Sequence, residues 1–241
     1  MFLTLLRKDW RLAKPAFLLM AVLFFVPAAV GVSVTAYSRV FEDKVPIRQY
    51  SAADHSDLMA LFVGGSWLCI FAAPAVAASQ FARERRERTS EFLGALPISR
   101  TQIVRSKSMV TACLLALPLL LGLLASLSGF ASTANLSDDF TRTLFTFGLF
   151  AAAFLGVCGL AWLFSCILSS EVLATTAALL VSAVFAFKIY LIFQVVPSLK
   201  AITPAWRQEL TITWTIAILF ACFAIVGFTA GTIIASIRRT L

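Results

Sequence analysis

Residues 81–107 read FARERRERTSEFLGALPISRTQIVRSK and separate two long hydrophobic segments. The stretch holds seven of the chain's twenty Lys and Arg residues. Its flanks decide the class of fold. Residues 57–81 before it and 108–129 after it are each long and apolar enough to cross a bilayer, which takes roughly 20 such residues. The stretch is therefore the polar connection of a membrane hairpin.

The same arithmetic extends outward. The 241 residues are 60% hydrophobic and only 13% charged, with a mean hydropathy of +0.92. Those values lie far from a water-soluble composition. Six candidate spans follow, at about 16–38, 57–81, 108–129, 143–168, 172–193 and 211–235. The first is too long for the apolar region of a secretory signal, and no small-residue cleavage site follows it. The expected fold class is an all-α integral membrane protein with six transmembrane helices, forming a single domain over 1–241.

Charge sets the expected orientation. The N-terminus, the 82–107 loop, the 168–172 turn and the C-terminus fall on one side and carry thirteen Lys and Arg residues. The other side carries six, and Lys188 lies inside a span. Positive residues favour the cytoplasm, so both termini are expected there, in the cell's inner (plasma) membrane. Topology and anionic headgroups account for the net charge of +8 without a nucleic-acid partner.

Local patterns refine the layout. In MFLTLLRKDWRLAKPAF, Phe2, Leu3, Leu6 and Trp10 recur at helical spacing among Arg7, Lys8, Arg11 and Lys14. That is an interfacial helix over 1–15, with Pro15 marking the bend into the first span; the alternative is a plain basic flank. Ser137-Asp138-Asp139 precedes the fourth span, and Ser170-Glu171 opens the fifth. Residues 194–210, broken by Pro197 and Pro204, suggest short helices dipping into the outer leaflet. No internal repeat relates the two halves, which argues against an inverted-repeat carrier.

Composition also removes several chemistries. The five cysteines lie in apolar segments without a CxxC pair, and the single histidine, His55, lies in a loop. Metal binding is not expected, and no catalytic residue is assigned. His55 alone cannot supply an HExxH site or a membrane serine–histidine pair. No span carries a central Asp for an aspartyl protease, and Gly-Lys never occurs, so there is no nucleotide-binding loop. Lys188 is the charged residue that comes closest to the middle of a span, placed where its stem can reach the interface. A transporter of this sequence needs its motor from elsewhere.

The quoted stretch has its own grammar. Residues 81–88 continue the second span as a charged helix, with Glu84 and Arg88 one turn apart. Thr89 or Ser90 caps a short new helix with Glu91 in its first turn, where the helix dipole favours an acid. Phe92, Leu93 and Leu96 give that helix an apolar face, and Pro97 ends it. Ser99-Arg100-Thr101-Gln102 is a capping box that starts the helix of the third span. An apolar face rimmed with charge suits a protein partner; the alternative is a face folded back onto headgroups.

At these residues the stretch resembles the cytoplasmic loop of type-2 ABC transporter permeases (the ABC-2 type exporters), whose approximate pattern is E-R-E-x-G-T-x-E-x-L-x-x-x-P-x-S-x-x-x-I-x-x-G-K. Glu84, Arg85, Thr89, Glu91, Leu93, Pro97, Ser99, Ile103 and Lys107 fall on matching positions, while Arg88 and Ser106 replace two glycines. The resemblance implies a coupling helix between spans two and three that docks on a separate ATP-binding-cassette ATPase subunit. Glu84, Glu87, Arg88, Thr89 and Glu91 would rim the dock, Phe92, Leu93 and Leu96 would fill its centre, and Pro97 would fix its shape. ATP and Mg would be bound by that partner, leaving this chain without a cofactor and without enzymatic activity. A second permease chain, a homodimer in preference to a heterodimer, would complete the path through the lipid bilayer. The resemblance identifies no substrate-binding residue. The alternatives are a non-transporting membrane scaffold or assembly factor, and an ATP-independent carrier.

Overall fold

The computed structural model describes residues 2–41, 68–82, 84, 99–130, 136–195 and 205–237. Every regular element among them is an α-helix. We label them α1 (Phe2–Phe41), α2 (Leu68–Ala82, with Glu84 also helical), α3 (Arg100–Phe130), α4 (Leu136–Ser165), α5 (Glu171–Val195) and α6 (Ala205–Ile237). Within them Arg100–Leu124, Phe147–Ser165, Glu171–Leu191 and Thr213–Ile237 are long and apolar enough to cross a membrane. Two shorter apolar helices, Ala13–Leu23 and Leu68–Ala82, overlap the first two predicted spans.

The helix starts follow the local sequence chemistry. At α3 the Ser99 Oγ accepts from the Gln102 amide at 3.3 Å, and the Gln102 Oε1 accepts from the Ser99 amide at 3.3 Å. These reciprocal bonds are the predicted capping box, each satisfying a backbone donor that the helix itself leaves unpaired. At α5 the Leu173 amide donates to the Ser170 Oγ at 3.4 Å. Between α4 and α5 the chain tightens, with Cys166 and Ile167 amides donating to the carbonyls of Leu163 and Phe164, both at 3.0 Å. Such i→i−3 bonds close a helix in little space.

Other boundaries extend the expectation. Helix α4 begins at Leu136, so Ser137-Asp138-Asp139 lies in its first turn and precedes the apolar span Phe147–Ser165. Helix α1 runs unbroken from Phe2 through Pro15 to Phe41, so the amphipathic N-terminal turns and the start of the first span are one helix. Residues 205–210 form the beginning of α6, while Pro197, Thr203 and Pro204 lie outside the described residues.

Helix α4 is the centre of the bundle. It packs against α3, α5 and, most extensively, α6. More than half of its span is buried, against under a fifth of α5 and α6. Side chains such as Leu120, Leu180, Phe187, Ile218 and Ile225 point outward. In lipid an outward apolar chain costs nothing, so helix contacts depend on close backbone approach instead. Gly159 and Gly227 provide that approach. A Cβ on Gly227 would collide with the Gly159 carbonyl group, and one on Gly159 would lie 2.8 Å from the Ala224 Cα.

Contacts among α1, α2, α4 and α6 gather at one end of this bundle. Phe81, near the end of α2, packs edge-on against Trp162 near the end of α4, with ring centroids 5.0 Å apart. Trp162 in turn packs against Phe228 of α6 at 6.1 Å. Lys8 of α1 reaches Glu84 at 2.8 Å. The N-terminus, both feet of the 85–98 connection, the α4–α5 turn and the end of α6 therefore share one side, as the charge distribution requires.

Candidate functional site

Three helices bring their buried stripes to that end, and each stripe ends in charge. On α1 the buried positions are Leu5, Asp9, Ala13 and Met20. On α2 they include Ala73, Val76, Ala77, Gln80, Phe81 and Glu84; on α3 they include Val104, Lys107, Thr111 and Leu114. Spacings of three and four place these residues on one face of each helix. Asp9, Glu84 and Lys107 occupy positions that the pattern reserves for core side chains.

They are buried together. Lys107 is 1% exposed, Asp9 3% and Glu84 5%. The Lys107 Nζ lies 3.0 Å from the Glu84 Oε1 and 3.6 Å from the Asp9 Oδ1. It also donates to the Gln80 carbonyl and stands 5.2 Å from the centre of the Phe81 ring. The Lys8 Nζ donates to the same Glu84 oxygen at 2.8 Å, with about a third of its side chain exposed. The Ser106 Oγ donates to the Asp9 Oδ2 at 2.6 Å. Two ammonium groups thus face two carboxylates. Buried charges persist when paired and hydrogen-bonded in this way.

The carboxyl group of Glu84 reports the balance. Burial pushes its pKa up, but Lys107 and Lys8 outweigh burial and hold it below the ordinary glutamate value. A group with a lowered folded pKa stabilises the fold fully above its unfolded value, about 4.3, and the contribution fades as pH falls through the folded value. We therefore expect thermal stability of the detergent-purified protein to fall on acidification from about pH 5 downward. Glu84→Gln should flatten that limb; an unchanged acid limb in this variant would show that Glu84 does not titrate as described.

Of the predicted docking residues, Glu84 is described, and it faces the lysines inside the bundle. Glu87, Arg88, Thr89, Glu91, Phe92, Leu93, Leu96 and Pro97 lie outside the described residues. Arg105, one residue from Ser106, is exposed, as is Lys188 three residues before the end of the α5 span. The cluster adds Asp9, Gln80, Phe81 and Ser106, which motif reasoning did not select. A usable signal existed for Asp9: it is the only acid among the first fourteen residues, and it shares a helical stripe with Leu5 and Ala13.

This arrangement is a set of ion pairs and hydrogen bonds joining three helices. It ties the N-terminal turns of α1 to both feet of the 85–98 connection. A family model described as ABC-2 family transporter protein matches residues 3–213. Comparison with curated proteins and with solved structures returns no match.

Proposed function

The chain belongs to the ABC-2 transporter family, and from that premise we propose that it is the membrane-embedded permease subunit of an ABC exporter. It crosses the membrane six times, with both termini on the cytoplasmic face of the inner membrane. The observation that carries this reading is the charged 85–98 connection, rooted between α2 and α3 at the end of the bundle shared with the N-terminus. ATP is hydrolysed by a separate ATP-binding-cassette subunit docked there, and this chain itself hydrolyses none. Two permease chains, of one kind in the simplest case, close the path by two-fold symmetry.

Within that docking surface, Leu93 is the central apolar anchor and Glu87, Arg88 and Glu91 are its rim. Truncating a central anchor costs about 2 kcal/mol or more, while rim charges cost much less. Leu93→Asp should leave the permease inserted and folded but release the ATPase in pull-down. ATP turnover of the ATPase with the permease in liposomes should fall to its rate alone. Full capture and full turnover with Leu93→Asp would refute docking through this loop.

A further inference from the structure

The Lys8–Asp9–Gln80–Glu84–Ser106–Lys107 cluster joins α1, α2 and α3, and includes Glu84, the predicted docking residue that is described. Glu84 borders the connection on α2, and Lys107 lies about two turns into α3. Lys8 and Asp9 belong to α1, separated from Glu84 by more than seventy residues of sequence. Lys107 touches all parties: Asp9 of α1, and Glu84, the Gln80 carbonyl and the Phe81 ring of α2. We propose that this cluster is a latch that makes the N-terminal turns of α1 part of the coupling apparatus, with Lys107 as its positioning residue.

The proposal rests on the docking reading and adds to it a route. Force applied to the connection enters α2 and α3 directly, and through the latch it also enters α1. Charge suits that task. An apolar contact slides at small cost, whereas moving a buried ammonium away from two carboxylates leaves unpaired charge in a low-dielectric site. The three helix ends therefore move as one body. The outward face of the same α1 turns carries Leu3, 75% exposed, with Arg7, Trp10, Arg11 and Lys14. Motion of the latch is thereby delivered to a segment built to lie at the membrane surface.

The test places a fluorophore on Leu3→Cys, in a background with the five native cysteines replaced, in liposomes holding the permease and its co-purified ATPase. Mg–ATP should change the fluorescence in the otherwise unaltered protein and in Lys8→Arg, which keeps the ion pair. The change should be lost in Lys8→Met and in Glu84→Gln, and Lys8→Met should still capture the ATPase. A cluster serving only to hold the fold would leave this nucleotide response intact in every folded variant. Full responses in Lys8→Met and Glu84→Gln, or no response in the unaltered complex while it turns over ATP, overturn the latch. Failure of the unaltered permease to capture any ATPase sinks the docking reading instead. The contact between α1 and α2 on which the latch depends is then judged by a thermal-unfolding cycle of Lys8→Met and Glu84→Gln: non-additive losses support that contact and additive losses refute the latch.

Discussion

Lys107→Met is expected to destabilise the permease by about 3–5 kcal/mol, the range for removing one partner of a buried ion pair. Methionine keeps the length and much of the volume of lysine, so the loss is one of charge more than of packing. Asp9 then keeps the Ser106 hydroxyl and Glu84 the Lys8 ammonium, whose side chain is about a third exposed. A charge pair about 4 Å apart near a protein surface attracts by about 4 kcal/mol. The variant forfeits that attraction while the carboxylates stay desolvated. Removing the stranded charges as well, in Lys107→Met/Asp9→Asn/Glu84→Gln, should recover most of the loss, because replacing a whole buried ionic set is often close to neutral. Arg105→Ala, exposed on the same helix, should change stability by no more than about 0.5 kcal/mol. Thermal unfolding of detergent-purified variants makes the comparison. If Lys107→Met unfolds alongside Arg105→Ala, the cluster is not held by charge.

How far the fold was legible follows from where its signals are local. The capping box at Ser99 and the cap at Ser170 involve residues three apart, and both form as the motif predicts. Hydropathy located the four long spans, because lipid obliges each crossing helix to satisfy its own backbone. Charge counting placed the N-terminus, the connection and the α4–α5 turn on one side, and the contacts of Lys8, Phe81 and Trp162 agree. The cluster was less legible. Basic residues in a membrane flank ordinarily report topology, and that explanation for Lys8 and Lys107 left no reason to seek partners. Their pairing depends on three helices separated in sequence. The only local trace is phase: Asp9, Glu84 and Lys107 continue apolar stripes at intervals of three and four. A continuous α1 through Pro15 was also hidden, since proline is on average a sound stop signal.

Gly227→Ala and Gly148→Ala should differ in sign, although they are the same substitution in membrane helices of one bundle. A methyl group on Gly148 meets nothing within 4 Å, and alanine favours the helix by about 1 kcal/mol over glycine. That variant should be neutral or slightly stabilised. On Gly227 the methyl group would enter the backbone of Gly159, which has no rotamer to change. The helices must separate, and overpacking of this kind costs about 1–3 kcal/mol, sometimes more. The crossing also supports the far end of the bundle's polar cluster. Gly231, one turn from Gly227, packs so closely on Trp162 that an added Cβ would lie 2.5 Å from its Cδ1. Trp162 backs Phe81, and Phe81 underlies the Lys107 ammonium. Spreading α4 from α6 therefore withdraws the aromatic floor beneath the buried lysine. Gly227→Ala should lower the unfolding temperature of the detergent-purified protein, while Gly148→Ala leaves it unchanged or raises it. Equal stability of the two variants would mean that α4 and α6 do not cross through Gly159 and Gly227.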